Sequence, residues 1–187
     1  MRIKNQLIAA LFLLSPSLYA HTGGHIDHSL ISGLLHPLTG IDHLLVLMAV
    51  GLIAAKQGGK ALFAFPAVFL ALMAVGAALS AYAVQIPFVE LFIALSLVAF
   101  GLLVSVKQKQ RSLMLFLGVS FFAVFHGYAH AEEIPADSAA VLYFSSLMLM
   151  SLAICLLGCA LGLSTDKRVN YLFSLICLSS GLYYLAG

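Results

Sequence analysis

Within eight positions, His36-Pro37-Leu38-Thr39-Gly40-Ile41-Asp42-His43, the chain sets two imidazoles, a carboxylate, a proline and a glycine. Leu44-Leu45-Val46-Leu47-Met48-Ala49-Val50 follows at once, so these groups sit in a run that otherwise reads as a membrane helix. Ionisable side chains are costly in hydrocarbon, and where they occur they mark an ion path, a proton relay or a metal site. A second group is His126, His130 and Glu133, at i, i+4 and i+7 and therefore on one stripe of a helix. Several imidazoles with one or two carboxylates suit nickel, cobalt, zinc or copper better than magnesium or calcium, which prefer all-oxygen shells. A lone membrane histidine is more often a packing hydrogen-bonder than a ligand; five ionisable groups at one level favour the ligand. The expected chemistry is coordination of a divalent transition metal on its way through a membrane.

Composition agrees with that setting. Of 187 residues, 63% are apolar and 9% charged, against roughly 25% charged in ordinary soluble domains. The basic residues are few and confined to short clusters, which excludes nucleic acid as a partner. Cys155, Cys159 and Cys177 are an odd number without framework spacing and carry no disulfide signal. They read as small buried apolar residues, with a minor soft-metal alternative for Cys155 and Cys159, four apart on one helix.

The elements that must position these residues follow from the hydropathy pattern. Arg2 and Lys4, the apolar Leu7–Leu14, and Ala20 before His21 have the layout of a cleavable signal peptide over 1–20. Cleavage there would leave His21 as a free N-terminus able to chelate through amine and imidazole together. Residues 21–187 form one membrane domain with spans near 30–55, 61–83, 88–106, 112–131, 139–163 and 169–186. The expected fold is thus an all-α integral membrane protein, a six-transmembrane-helix bundle. Every Lys and Arg beyond residue 20 falls in the first, third and fifth separators, while Asp27 precedes the first span and Glu132, Glu133 and Asp137 fall in the fourth separator. Basic residues mark the cytoplasmic side, so both mature termini are expected outside, in a bacterial inner membrane. Gly158 with Gly162, and Ala74 with Ala78, are small-residue pairs suited to close helix crossing.

This orientation puts all seven histidines in the outer half. Thirteen residues separate His43 from Lys56 and fifteen separate Arg111 from His126. At about 1.5 Å per residue these are roughly 20 and 22 Å, so both imidazoles lie on the order of 10 Å below the outer surface. Two helices would present imidazoles at matched depth, with His36 and Glu133 near the boundary. Pro37 and Gly40 bend or break the first span, which lets Asp42 turn inward as a ligand or orient a histidine from behind. His21, His25 and His28 read equally as a solvated tail or as metal capture at the entrance.

His36-Pro37-x-x-Gly40-x-Asp42-His43-x-Leu45, with Met48 beyond, resembles the first-span signature of the HupE/UreJ family. Phe125-His126-Gly127-Tyr128-Ala129-His130-Ala131-Glu132-Glu133-Ile134-Pro135 resembles its fourth-span motif, with Ala131 where the family usually has Gly. The resemblance covers the whole chain. It implies a nickel, and in some members cobalt, permease of the bacterial inner membrane with His36, Asp42, His43, His126, His130 and Glu133 as metal ligands. Glu133 is the motif acid by this match, and Glu132 the weaker candidate. The implied molecule is a transporter rather than an enzyme, without a prosthetic group, whose cargo is Ni2+ or Co2+. Its partners are that cation and the lipid bilayer; a homo-oligomer stays open, and a cytoplasmic metallochaperone is unidentified. The rival readings are an intramembrane zinc-dependent hydrolase and a bis-histidine haem protein using His43 and His126.

Overall fold

The computed structural model describes residues 25–105, 113–136, 138–164 and 167–186, with side chains from His28 onward. The candidate signal peptide and His21 lie outside the described residues, as does the basic segment 106–112. Regular structure among the described residues is helical: α1 (His25–Thr39), α2 (Ile41–Gln57), α3 (Ala61–Ala81), α4 (Val89–Ser105), α5 (Leu113–Glu132), α6 (Ala140–Ser164) and α7 (Lys167–Ala186).

The α2 helix is the axis of the bundle. It packs closely on α6 and α3 and also touches α1, α4 and α7. Leu45, Val46 and Leu47 and every residue from Ala49 to Ala55 are buried. A helix apolar on every side must be enclosed by others, and the sequence of α2 has no polar stripe below His43. Around it, α3 pairs with α5, α4 with α7, and α6 with α1. Outward positions such as Phe63, Leu117, Leu149, Leu172 and Tyr183 are exposed. An apolar exterior on this scale marks a surface built for lipid.

Close approach at the crossings depends on glycine. A Cβ at Gly51 of α2 would run into the Cys155 carbonyl of α6, and one at Gly158 into the Met48 carbonyl. The expected pair Gly158 and Gly162 therefore does face α2, where Gly162 lies against Ala55 and Leu52. The other pair does not hold: Ala74 and Ala78 are exposed. Half a turn round, Gly76 abuts Val124 and Tyr128 of α5, and Gly127 abuts Met73. Small residues were needed there, but glycine removes the whole side chain and so wins the interface.

The first span is broken, as Pro37 and Gly40 in the sequence lead one to expect. Residues 30–55 do not form one continuous helix: α1 and α2 meet at Gly40 with a bend of 77°. Gly40 is extended (φ −83°, ψ 106°), and the Thr39 hydroxyl donates to the His36 carbonyl at 2.9 Å, satisfying part of the helix end. Pro37 sits inside the last turn of α1 rather than at the break. Among the described residues, α3, α5, α6 and α7 are long and apolar enough to cross a membrane, and the bent pair would make a fifth. The remaining helix, α4, has seventeen residues, about 25 Å at helical rise and shorter than a full hydrocarbon core of about 30 Å.

Candidate metal centre

The break at Gly40 is what assembles the site. It puts His36 in the last turn of α1 and Asp42 in the first turn of α2, with His43 next to it. The end of α5 supplies His126, His130 and, just past the helix, Glu133. His36 Nε2 lies 3.0 Å from Glu133 Oε2, and His130 Nδ1 lies 3.8 Å from the same oxygen. Ligand atoms of His36, His130 and Glu133 all fall within 4.8 Å of one another. Ring centres are 5.0 Å apart for His36 and His130, 4.1 Å for His43 and His130, and 5.2 Å for His43 and His126. A metal–nitrogen bond of about 2.1 Å sets each ring centre roughly 3 Å from an ion, so neighbouring ligand rings stand roughly 4–5 Å apart. The six residues singled out in the sequence thus share one neighbourhood.

Hydrogen bonds decide which nitrogens are free. Asp42 Oδ1 is 3.0 Å from His43 Nδ1, and a carboxylate only accepts, so Nδ1 carries the proton. The lone pair of His43 then resides on Nε2, which is buried without a partner. A carboxylate behind an imidazole in this way fixes the ring and raises its basicity toward a metal. At the other end, the Ser96 hydroxyl donates to the Ile93 carbonyl at 2.6 Å and lies 3.0 Å from His126 Nε2. With its proton committed, that hydroxyl accepts from His126, whose Nδ1 is left unprotonated. His130 is 1% exposed, and neither of its nitrogens has a hydrogen-bond partner. Unpaired polar atoms this deep are uncommon and ask for a ligand.

Electrostatics also favour a cation. The C-terminal ends of α1 and α5, with their partial negative charge, converge on the site, and the Asp42 carboxylate offsets the positive N-terminal end of α2 there. The hydrogen bond from His36 holds the Glu133 carboxyl below its ordinary range, so it stays anionic. Glu132 is turned to the Tyr128 hydroxyl instead, which makes Glu133 the acid beside the histidines. His25 and His28 do not belong to a loose tail: helix α1 begins at His25, and His28 is exposed on it.

Three side chains escaped the sequence reading. Ser96 of α4 holds His126, Phe69 of α3 lies 5.9 Å from that ring, and Tyr143 of α6 lies 5.8 Å from His36. In an apolar run, a serine, a phenylalanine and a tyrosine give no signal by type or spacing; only three-dimensional proximity reveals them. Ser29 does comparable work on the fold, accepting from the Ala139 amide at 2.9 Å and tying α1 to α6.

Comparison with known proteins adds an independent line. A family model described as "HupE / UreJ protein" matches residues 9–185. The "Protein HupE" of Rhizobium leguminosarum bv. viciae is 38% identical over 154 residues, covering 82% of this chain and 80% of that protein. No solved structure matches the chain. Matched along nearly its whole length, the chain belongs to the HupE/UreJ family, a family of nickel and cobalt transporters.

Proposed function

We propose that this protein is a nickel or cobalt permease of the bacterial inner membrane, with both mature termini outside. In this reading the cation is gathered at the outer face, loses its water to the imidazoles and acids, and passes inward through the bundle. His36, Asp42, His43, His126, His130 and Glu133 are the residues proposed to hold it. The observation that carries the reading is the convergence of four imidazoles and two carboxylates where α1, α2 and α5 meet, with His43 Nε2 and both His130 nitrogens unpartnered. A dication must recover in ligand bonds what it gives up in hydration, and a set of neutral nitrogens with anionic oxygens can do this. An inside-negative potential favours inward movement by about 2.3 kcal/mol per charge per 100 mV, roughly twice that for a dication.

The haem rival fares poorly on geometry. His43 and His126 meet edge to face with ring centres 5.2 Å apart, which leaves no gap the thickness of a porphyrin. The deciding experiment is uptake by liposomes containing this protein alone, offered nickel, cobalt, zinc and copper in turn. Nickel or cobalt accumulation above empty liposomes is expected; its absence for every ion would overturn the reading.

A further inference from the structure

The four imidazoles touch in sequence: His130 lies between His36 and His43, and His126 lies beyond His43. From His36 the ring centres step 5.0 Å to His130, 4.1 Å to His43 and 5.2 Å to His126, while His36 and His43 stand 6.4 Å apart. Two rings on one ion reach about 6 Å only when directly opposed, and His36 and His43 stand at that limit with their planes tilted by 59°, which favours separate partners for His36 and for His43. The helix itself gives the direction. His126 is one turn of α5 inward of His130, about 6 Å at helical rise. At the outer end the acid is Glu133; at the inner end the acid is Asp42, bonded to the far side of His43.

We propose two successive cation positions: an outer one on His36, His130 and Glu133, and an inner one on His43 Nε2 and His126 Nδ1. This rests on the permease reading and deepens it. Asp42 and Ser96 are positioning residues of the inner position, since each holds the proton-bearing nitrogen and leaves the opposite one bare. His130, in ring contact with His43, is the shared wall across which the ion is handed. Two dications one helical turn apart repel strongly at low dielectric, so one ion occupies one position at a time. Spaced weak sites of this kind let an ion both bind and leave.

The test uses full-length protein and nickel, read as equilibrium binding to solubilised protein and as liposome uptake. Glu133→Gln should weaken binding and uptake together, by at least about tenfold. His126→Phe and Ser96→Ala should leave binding within about threefold and cut uptake at least about tenfold. Ser96→Thr, which keeps the hydroxyl, should restore it. Loss of binding in His126→Phe as deep as in Glu133→Gln would mean a single position and overturn the proposal. So would wild-type uptake in both inner-position variants. Should His126→Phe fail to fold, Ser96→Ala and its threonine rescue decide alone. If the wild type binds nickel without moving it, the permease reading fails, and the two positions are judged by Co2+ absorption. A spectrum unchanged by Ser96→Ala alone, changed by Glu133→Gln, and changed again when Ser96→Ala is added to Glu133→Gln would uphold them; a spectrum that Ser96→Ala alone alters as much as Glu133→Gln does would not.

Discussion

Asp42 and His43 act as a unit. The carboxylate fixes which nitrogen of His43 is bare, and partners of this kind are typically worth 10–100-fold in metal affinity. Asp42→Ala is expected to cost the inner position about that factor, to leave overall nickel binding within about threefold because the outer ligands remain, and to abolish uptake at low metal, with membrane insertion intact. His43→Ala should abolish uptake outright; normal transport by either variant would count against the site. Gly40 serves the same pair, because a Cβ there would lie 3.2 Å from both Asp42 Oδ1 and His43 Nδ1. Gly40→Ala should therefore reduce uptake while the protein still folds, which a melting curve beside a flux assay would show. Protons compete with metal for imidazole nitrogens. Glu133, held below its usual range, remains a carboxylate through mild acid and does not itself titrate there. Lowering the outer pH from about 7 to about 5 should weaken nickel affinity, read as a rise in the half-saturating concentration.

At the scale of helices, glycine-mediated contact sets the geometry. Replacing a mid-helix glycine by alanine ordinarily gains up to about 1 kcal/mol of helix propensity. At Gly51 the added methyl meets the Cys155 carbonyl, and overpacking costs about 1–3 kcal/mol. Gly51→Ala should thus melt lower than wild type, whereas Gly118→Ala, with nothing within 4 Å of the new Cβ, should melt at or above it. Equal shifts in both would deny the crossing its role. Helix positions from α3 to α7 were legible in the sequence because their separators are polar and their runs apolar. The division of the first segment was half legible: Pro37 and Gly40 announced a distortion, but not two helices at 77°. The crossing at Gly76 rather than at Ala74 and Ala78 was not legible, because an apolar helix in lipid has no polar face to mark which side is inward. Ser96 was illegible for the same reason, being a small polar residue whose partner is thirty positions away on another helix.

Across the whole molecule, chemistry is gathered at one end. The site lies where α1, α2 and α5 meet, while the opposite end of α2 carries Lys56, whose ammonium donates to the Val104 carbonyl of α4. Between them, α2 is lined by apolar neighbours and by Cys155 and Cys159, both free and buried. With the basic loops inside, a periplasm-dependent reporter fused after Gly187 should be active and one placed in the 106–112 loop inactive; the opposite pattern would invert the topology. In the proposed orientation the imidazoles meet at the outer end, an arrangement suited to taking a cation from that side. The most direct measurement is ion-resolved uptake by liposomes holding this protein alone under an inside-negative potential. Accumulation of nickel or cobalt that disappears in His43→Ala is expected; undiminished accumulation in that variant, or none in the wild type, would contradict it.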